Sequence, residues 1–219
     1  MIKNWKLFIC LMMLFLILLS GCHHDQKQAE NIYTDLEKAA DQEKVFADKQ
    51  QALKETGEEE QTIYQKIMDI DTDHVEQLKQ HIGAAQKNNE QQKQLLEEID
   101  AGLNDAYQLS LPTKKVAEEI RDTEQQKLAI ETVELMDKRY ELFESYYKDF
   151  EDSLKESKEF YGQLQKEDRD TEALDKQIKK INKRYRKMEE QQDEFNRCTE
   201  QYNETKSKYY QAAGLTKHT

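Results

Sequence analysis

Four stretches of the chain place apolar residues at alternating spacings of three and four, and that period decides most of what the chain can fold into. The longest case runs Leu174, Ile178, Ile181, Tyr185, Met188, Gln192, Phe195, Thr199, Tyr202, Lys206, Tyr209, with eight of the eleven positions apolar or aromatic. Val133 to Leu164 keeps the same step through Met136, Tyr140, Phe143, Tyr147, Phe150, Leu154, Ser157 and Tyr161. Val75 to Ala106 keeps it through Leu78, Ile82, Ala85, Asn89, Gln92, Leu96, Ile99 and Leu103. Ile32, Leu36, Ala39, Phe46 and Leu53 share one phase, with Glu43 and Gln50 in the gaps. A period of 3.5 residues holds one helical face against a partner over its whole length. It outweighs the high charge, which alone would indicate a disordered chain.

Breaks between the seams set the helix ends. Pro112 lacks an amide donor and disfavours helix before it, which predicts a turn at Leu109–Thr113. Asp168 or Asp170 can cap a helix after the polar cluster Glu167–Thr171. Asp73 and Glu76 form a capping-box pattern, which places the first break at Asp69–Asp73, with Gly57 as the rival position. The expected helices are 26–69, 73–108, 113–166 and 170–212, roughly 55 to 80 Å long at 1.5 Å per residue. Short turns between long helices make neighbours antiparallel. The expected fold is all-α: an elongated up-and-down bundle of about four helices with coiled-coil-like packing. Asn89, Gln92, Gln192 and Lys206 weaken its seams locally and can set register.

The first 21 residues are a separate matter. Lys3 and Lys6 precede Leu7–Leu19, an unbroken apolar run of 13 residues. That is short of the roughly 20 residues a membrane span needs, and it fits the apolar region of a secretory signal. Leu19-Ser20-Gly21-Cys22 follows, then polar His23-His24. A branched residue, two small ones and a cysteine are what a lipoprotein signal peptidase recognises. Leu19, Ser20 and Gly21 are therefore the expected recognition residues, and Cys22 the expected lipidation site. The lipid is a diacylglyceryl thioether, with or without a third, N-linked acyl chain. One chain alone holds a protein only marginally, whereas two or three anchor it stably. The expected organisation is a cleaved signal at 1–21 and a lipidated tether at 22–30. A single bundle domain at 31–212 and a flexible end at 213–219 complete it. The expected location is the outer face of the cell membrane, with the outer leaflet as lipid-mediated partner.

Composition excludes several functions. With Lys3 and Lys6 set aside, 31 basic residues face 45 acidic ones, which argues against general nucleic-acid binding. One Pro and few Gly do not build the loops of a sandwich or a Rossmann fold. No phosphate loop, Cys-x-x-Cys or His-Glu-x-x-His is present. His74 and His81 lie two helical turns apart, about 10 Å, too far to share one ion. No catalytic residue, metal or cofactor is expected beyond the lipid. Cys198 is left without an intramolecular partner and is expected to be a buried thiol, with an intermolecular disulfide as the alternative.

Two features stand above this background. Lys176, Lys179, Lys180, Lys183, Arg184, Arg186 and Lys187 form a basic stripe in an acidic chain. It can meet an anionic wall polymer or, more simply, pair with acidic residues of the 141–156 region. Eight of the eleven tyrosines lie at or after Tyr140. Most sit on seams, but Tyr146 and Tyr210 lie beside them and are the candidates for exposed rings that stack on sugars or hold a protein.

The chain resembles the YkyA-type family of cell-wall-binding lipoproteins of Gram-positive bacteria. The likeness rests on Leu19-Ser20-Gly21-Cys22, Ile32-Tyr33-x-x-Leu36-Glu37 and Ile63-Tyr64-Gln65-Lys66-Ile67. It continues in Ile178-Lys179-Lys180-Ile181-Asn182-Lys183 and from Phe195-Asn196 to Tyr202-Asn203. It implies a helical bundle in the cell envelope and association with the wall. The expected function is a non-enzymatic, membrane-anchored lipoprotein that associates with a cell-wall polymer. The alternative is a helical module that recruits or regulates an envelope enzyme, and self-association is a third reading.

Overall fold

The computed structural model describes residues 24–70, 74–166 and 168–215, without the side chain of Val45. They form α1 (residues 24–42), α2 (Lys44–Met68), α3 (Val75–Glu118), α4 (Thr123–Leu164) and α5 (Thr171–Ala212). No strand occurs among the described residues. Helix direction alternates through the short connections between α2, α3, α4 and α5, which makes an up-and-down bundle. The Asp69–Asp73 break lies where α2 ends, and Gly57 is inside α2. Asp73 itself lies outside the described residues. Of the two capping candidates before α5, Asp170 takes the role and accepts from the Ala173 amide at 3.0 Å.

The expected turn at Leu109–Thr113 does not exist. α3 runs through Pro112 to Glu118, and the turn falls at residues 119–122. The reason lies in the seam. After Ala106 it continues without a slip through Ser110, Thr113, Ala117 and Ile120, all buried. Pro112 sits on the opposite, exposed side, where the carbonyl it leaves without a donor can meet water. Burial along one face therefore outweighs the loss of a single helical hydrogen bond.

The helical residues fall into two compact units. The first comprises the described residues up to Asp41, Ala106–Lys138 and those from Cys198 onward. Its core is Ile32, Leu36, Ile120 and Tyr209 with small alanines between them, and a second cluster joins Ala39, Ala106, Met136 and Tyr202. Residues 24–30, expected as a tether, are helical here, and Asp25 is buried. The Asp25 carboxylate accepts from the amides of Arg121 and Asp122, both at 3.0 Å. Asp122 in turn caps α4, accepting from Glu124 and Gln125. At the far end, Gly214 has φ +68°, which lets the Leu215 amide turn back to the Tyr210 carbonyl at 2.9 Å. Residues 213–215 thus close α5; residues 216–219 lie outside the description.

The second unit comprises Gln42–Asp105 and Arg139–Arg197. Its apolar residues form three small clusters instead of one core, centred on Ile82 with Tyr161, on Leu96 with Leu154, and on Ile99 with Phe143. Polar side chains fill the spaces. Asn89 donates to the Leu154 carbonyl at 2.9 Å, and Asn88 donates to the Thr56 carbonyl at 3.0 Å. Asn89 and Gln92 thus occupy seam positions as satisfied hydrogen-bonding groups, whereas Gln192 is exposed.

Asp25→Ala would leave two amides of the 119–122 turn without their partner. It should lower unfolding free energy by about 2 kcal/mol, read by urea denaturation followed by circular dichroism.

Candidate functional site

A cleft of about 1220 Å³ opens in the second unit. α2 and α5 form its two sides, and α3 and α4 its floor. On the α2 side it follows the helix from Phe46 to Gln65, a run of about 29 Å at the helical rise. Its volume exceeds the roughly 300–1,000 Å³ typical of small-molecule pockets. α5 presents the seam residues Ile178, Ile181, Tyr185, Met188 and Phe195 to it. The heptad face of α5 therefore lines an opening here, along with packing against its neighbours.

The inner wall holds one buried carboxylate. Glu60 is 8% exposed and accepts from Gln92 at 2.9 Å and from the Tyr185 hydroxyl at 3.0 Å. Gln92 also donates to Asn88 at 2.6 Å, so the group is a connected network. Burial, and then the charge of Glu60, push the hydroxyls of Tyr161 and Tyr185 well above the ordinary tyrosine range. Both stay protonated, and Tyr185 donates to the carboxylate.

The mouth differs in character. Nine polar residues that line the cleft are exposed. Seven are carboxamides: Gln50, Gln51, Gln61 and Gln65 on α2, and Asn182, Gln192 and Asn196 on α5. Lys54 and Glu189 are the two charged ones and have opposite signs. In a chain that is 36% charged, this face is unusually neutral. Half-buried rings of Phe46, Tyr64, Tyr146 and Tyr185 stand below these amides.

The basic stripe is largely engaged within its own unit. Arg184 reaches Asp149 at 2.8 Å and Glu156 at 2.6 Å, and Asp152 at 3.5 Å. Lys187 pairs with Asp149 at 2.6 Å and Lys180 with Glu156 at 3.2 Å. Lys176 pairs along its own helix with Glu172. Lys179, Lys183 and Arg186 are exposed. Burial raises the Asp149 and Glu156 carboxyls, but the hydrogen bonds and charges of Lys187, Lys180, Arg184 and Gln191 outweigh it. Both therefore sit below the usual carboxylate range.

The two expected exposed tyrosines are not exposed. Tyr146 is half-buried with its ring 5.7 Å from that of Phe150, and burial pushes its hydroxyl up to about 12. It belongs to the cleft, not to an outer face. Tyr210, in the first unit, packs its ring at a tilt against Tyr33, 4.9 Å between centroids, and donates to Glu37 at 2.9 Å. Lys206 completes that group, 3.3 Å from Glu37 and 5.7 Å from the Tyr202 and Tyr210 rings. Proximity to a seam buries a long side chain that can fold back over it, which is why both expectations failed.

Cys198 is buried, 2% exposed, with its thiol 3.7 Å from the Leu135 carbonyl. His74 is exposed and His81 half-buried, and no metal-binding group occurs among the described residues. Leu19, Ser20, Gly21 and Cys22 lie outside the described residues. No helix among the described residues is long and apolar enough to cross a membrane. The sequence reading missed Glu60 and the amide mouth. Gln50, Gln92 and Gln192, three polar intrusions on the heptads, were the signal for it.

The helices and this cleft define a protein of the all-α, up-and-down bundle class. The chain belongs to the YkyA family, described as "Putative cell-wall binding lipoprotein", whose model matches residues 27–212. A solved structure with the same fold is a conserved protein of unknown function from Staphylococcus aureus. It is 16% identical with a TM-score of 0.72, covering 84% of this chain and 93% of the other. No curated protein matches the chain.

Arg184→Met should cost about 2 kcal/mol, because it removes the cation that two largely buried carboxylates share and leaves them only Lys187 and Lys180; adding Asp149→Asn and Glu156→Gln should restore much of it in urea melts. The depressed carboxyl values stabilise the fold above their unfolded values near pH 4, and that contribution is lost as pH falls through the folded values. The thermal midpoint should therefore drop in acid, and drop less in the Asp149→Asn/Glu156→Gln protein.

Proposed function

We propose that the protein is a non-enzymatic lipoprotein, anchored by Cys22 to the outer face of the cell membrane, that associates with the cell wall through its helical bundle. The observation that carries the anchor is the position of Leu19-Ser20-Gly21-Cys22 next to the folded chain. Residue 24, the first described one, is already helical, and Asp25 is held inside the first unit. Cleavage before Cys22 leaves the lipid almost directly on the bundle, with no long linker between them. Two or three acyl chains supply the membrane affinity, and the described residues are free to serve another partner. Membership in a family described by wall binding supports the wall as that partner. The non-enzymatic reading is supported by the cleft. Its one buried carboxylate, Glu60, is held by Gln92 and Tyr185 and sits as a structural acceptor.

Cys22→Ala should abolish incorporation of labelled palmitate and leave the signal at 1–21 uncleaved, seen as a heavier band. The whole mature chain carrying Cys22→Ser should co-sediment with purified wall sacculi. Palmitate incorporation that persists in Cys22→Ala would refute the anchor, and failure to co-sediment would refute wall association.

A further inference from the structure

We infer that the cleft between α2 and α5 is a binding site for an uncharged glycan chain, whose hydroxyl and acetamido groups meet the carboxamides of its mouth. The inference rests on the wall-association reading and names the ligand class and the place. Three observations select it. The first is size, since a cleft of about 1220 Å³ extending beside some twenty residues of α2 takes a chain of several units, not one small metabolite.

The second is charge. The mouth carries one positive and one negative side chain, Lys54 and Glu189, and Glu60 lies within. A polyanion such as a phosphate polymer would find a single cation here, Lys54, alongside Glu60 and Glu189 in the same lining, and three of the seven cations of the nearby stripe, Lys180, Arg184 and Lys187, are held by Asp149 and Glu156. A charged peptide or a partner helix with ionic flanks would find few opposite charges. The third is hydrogen-bonding type. A carboxamide offers a donor and an acceptor together, as do a sugar hydroxyl and an acetamido group. Amides lie on both sides, Gln50, Gln51, Gln61 and Gln65 on α2 and Asn182, Gln192 and Asn196 on α5, and can grip such a chain along its edges. Below them the rings of Phe46, Tyr64, Tyr146 and Tyr185 offer apolar faces for the C–H surface of a sugar ring.

The mature chain with Cys22→Ser is titrated with N-acetylglucosamine oligomers and with sacculi stripped of teichoic acid, across a salt series. Two variants are compared: Gln61→Ala/Asn182→Ala/Gln192→Ala at the exposed mouth, and Lys179→Ala/Lys183→Ala/Arg186→Ala outside it. The expected result is binding that resists salt, weakens at least tenfold in the amide variant and is unchanged in the lysine-arginine variant, with melting temperatures equal. Sacculus binding equal in wild type and amide variant overturns the cleft while leaving wall association intact. Binding that vanishes with salt, or when stem peptides are removed enzymatically, overturns the uncharged-glycan assignment in favour of a polyanion or a peptide. No sacculus binding by the wild type overturns both readings.

Discussion

The guanidinium of Arg139 is buried at 4% exposure and meets both carboxylate oxygens of Glu43 at 2.9 and 3.0 Å, with the Phe195 ring 5.4 Å away. This pair exemplifies the constraint on the whole second unit. Its seams contain too few apolar residues to close a core, so polar and charged side chains enter and must be satisfied there. An isolated buried charge would cost several kcal/mol, whereas a bidentate pair with good geometry recovers most of that. Arg139 ties the start of α2 to α4, Arg184 ties α5 to α4 through Asp149 and Glu156, and Asn88 ties α3 to α2. Such contacts are directional. They set helix register more tightly than an apolar seam of equal length would.

The same shortage of apolar side chains explains the cleft. Where facing helices carry Gln or Asn in place of Leu or Ile, they gain nothing by closing over one another. Gln50 and Gln192 occupy heptad positions on α2 and α5 and remain exposed. The opening is thus a direct product of polar intrusions in the seams. The Glu60, Gln92 and Tyr185 network stabilises its inner wall, so that a gap in the packing becomes a shaped surface. The first unit lacks these intrusions over most of its length. It instead closes tightly around Ala29, Ile32, Leu36 and Tyr209, all at most 1% exposed.

Much of the fold was legible in sequence because helix and seam are local properties. Residues three and four apart share a face whatever the partner, and the seam on α3 holds from Ile82 through Ala106 as spacing alone requires. The error at Pro112 came from weighing a single residue above the period. The seam ran on through Ser110, Thr113 and Ala117, but these side chains are small or polar and carry a weak apolar signal. The candidate site was less legible. Tyr146 and Tyr210 lie one step off the heptad line, and only the actual rotation of each helix shows that their rings turn inward.

The sequence by itself determined the helices, their seams and the antiparallel order, because each depends on residues close together along the chain. Tertiary structure alone decided which cations of the 176–187 stripe meet carboxylates, where Glu60 lies and how the amides of α2 and α5 come to line one cleft. Those outcomes depend on distance and rotation between helices far apart in sequence. Spacing along one helix does not contain them, since the same periodicity is compatible with many pairings, and hydrogen bonds and ion pairs select among them over only a few ångströms.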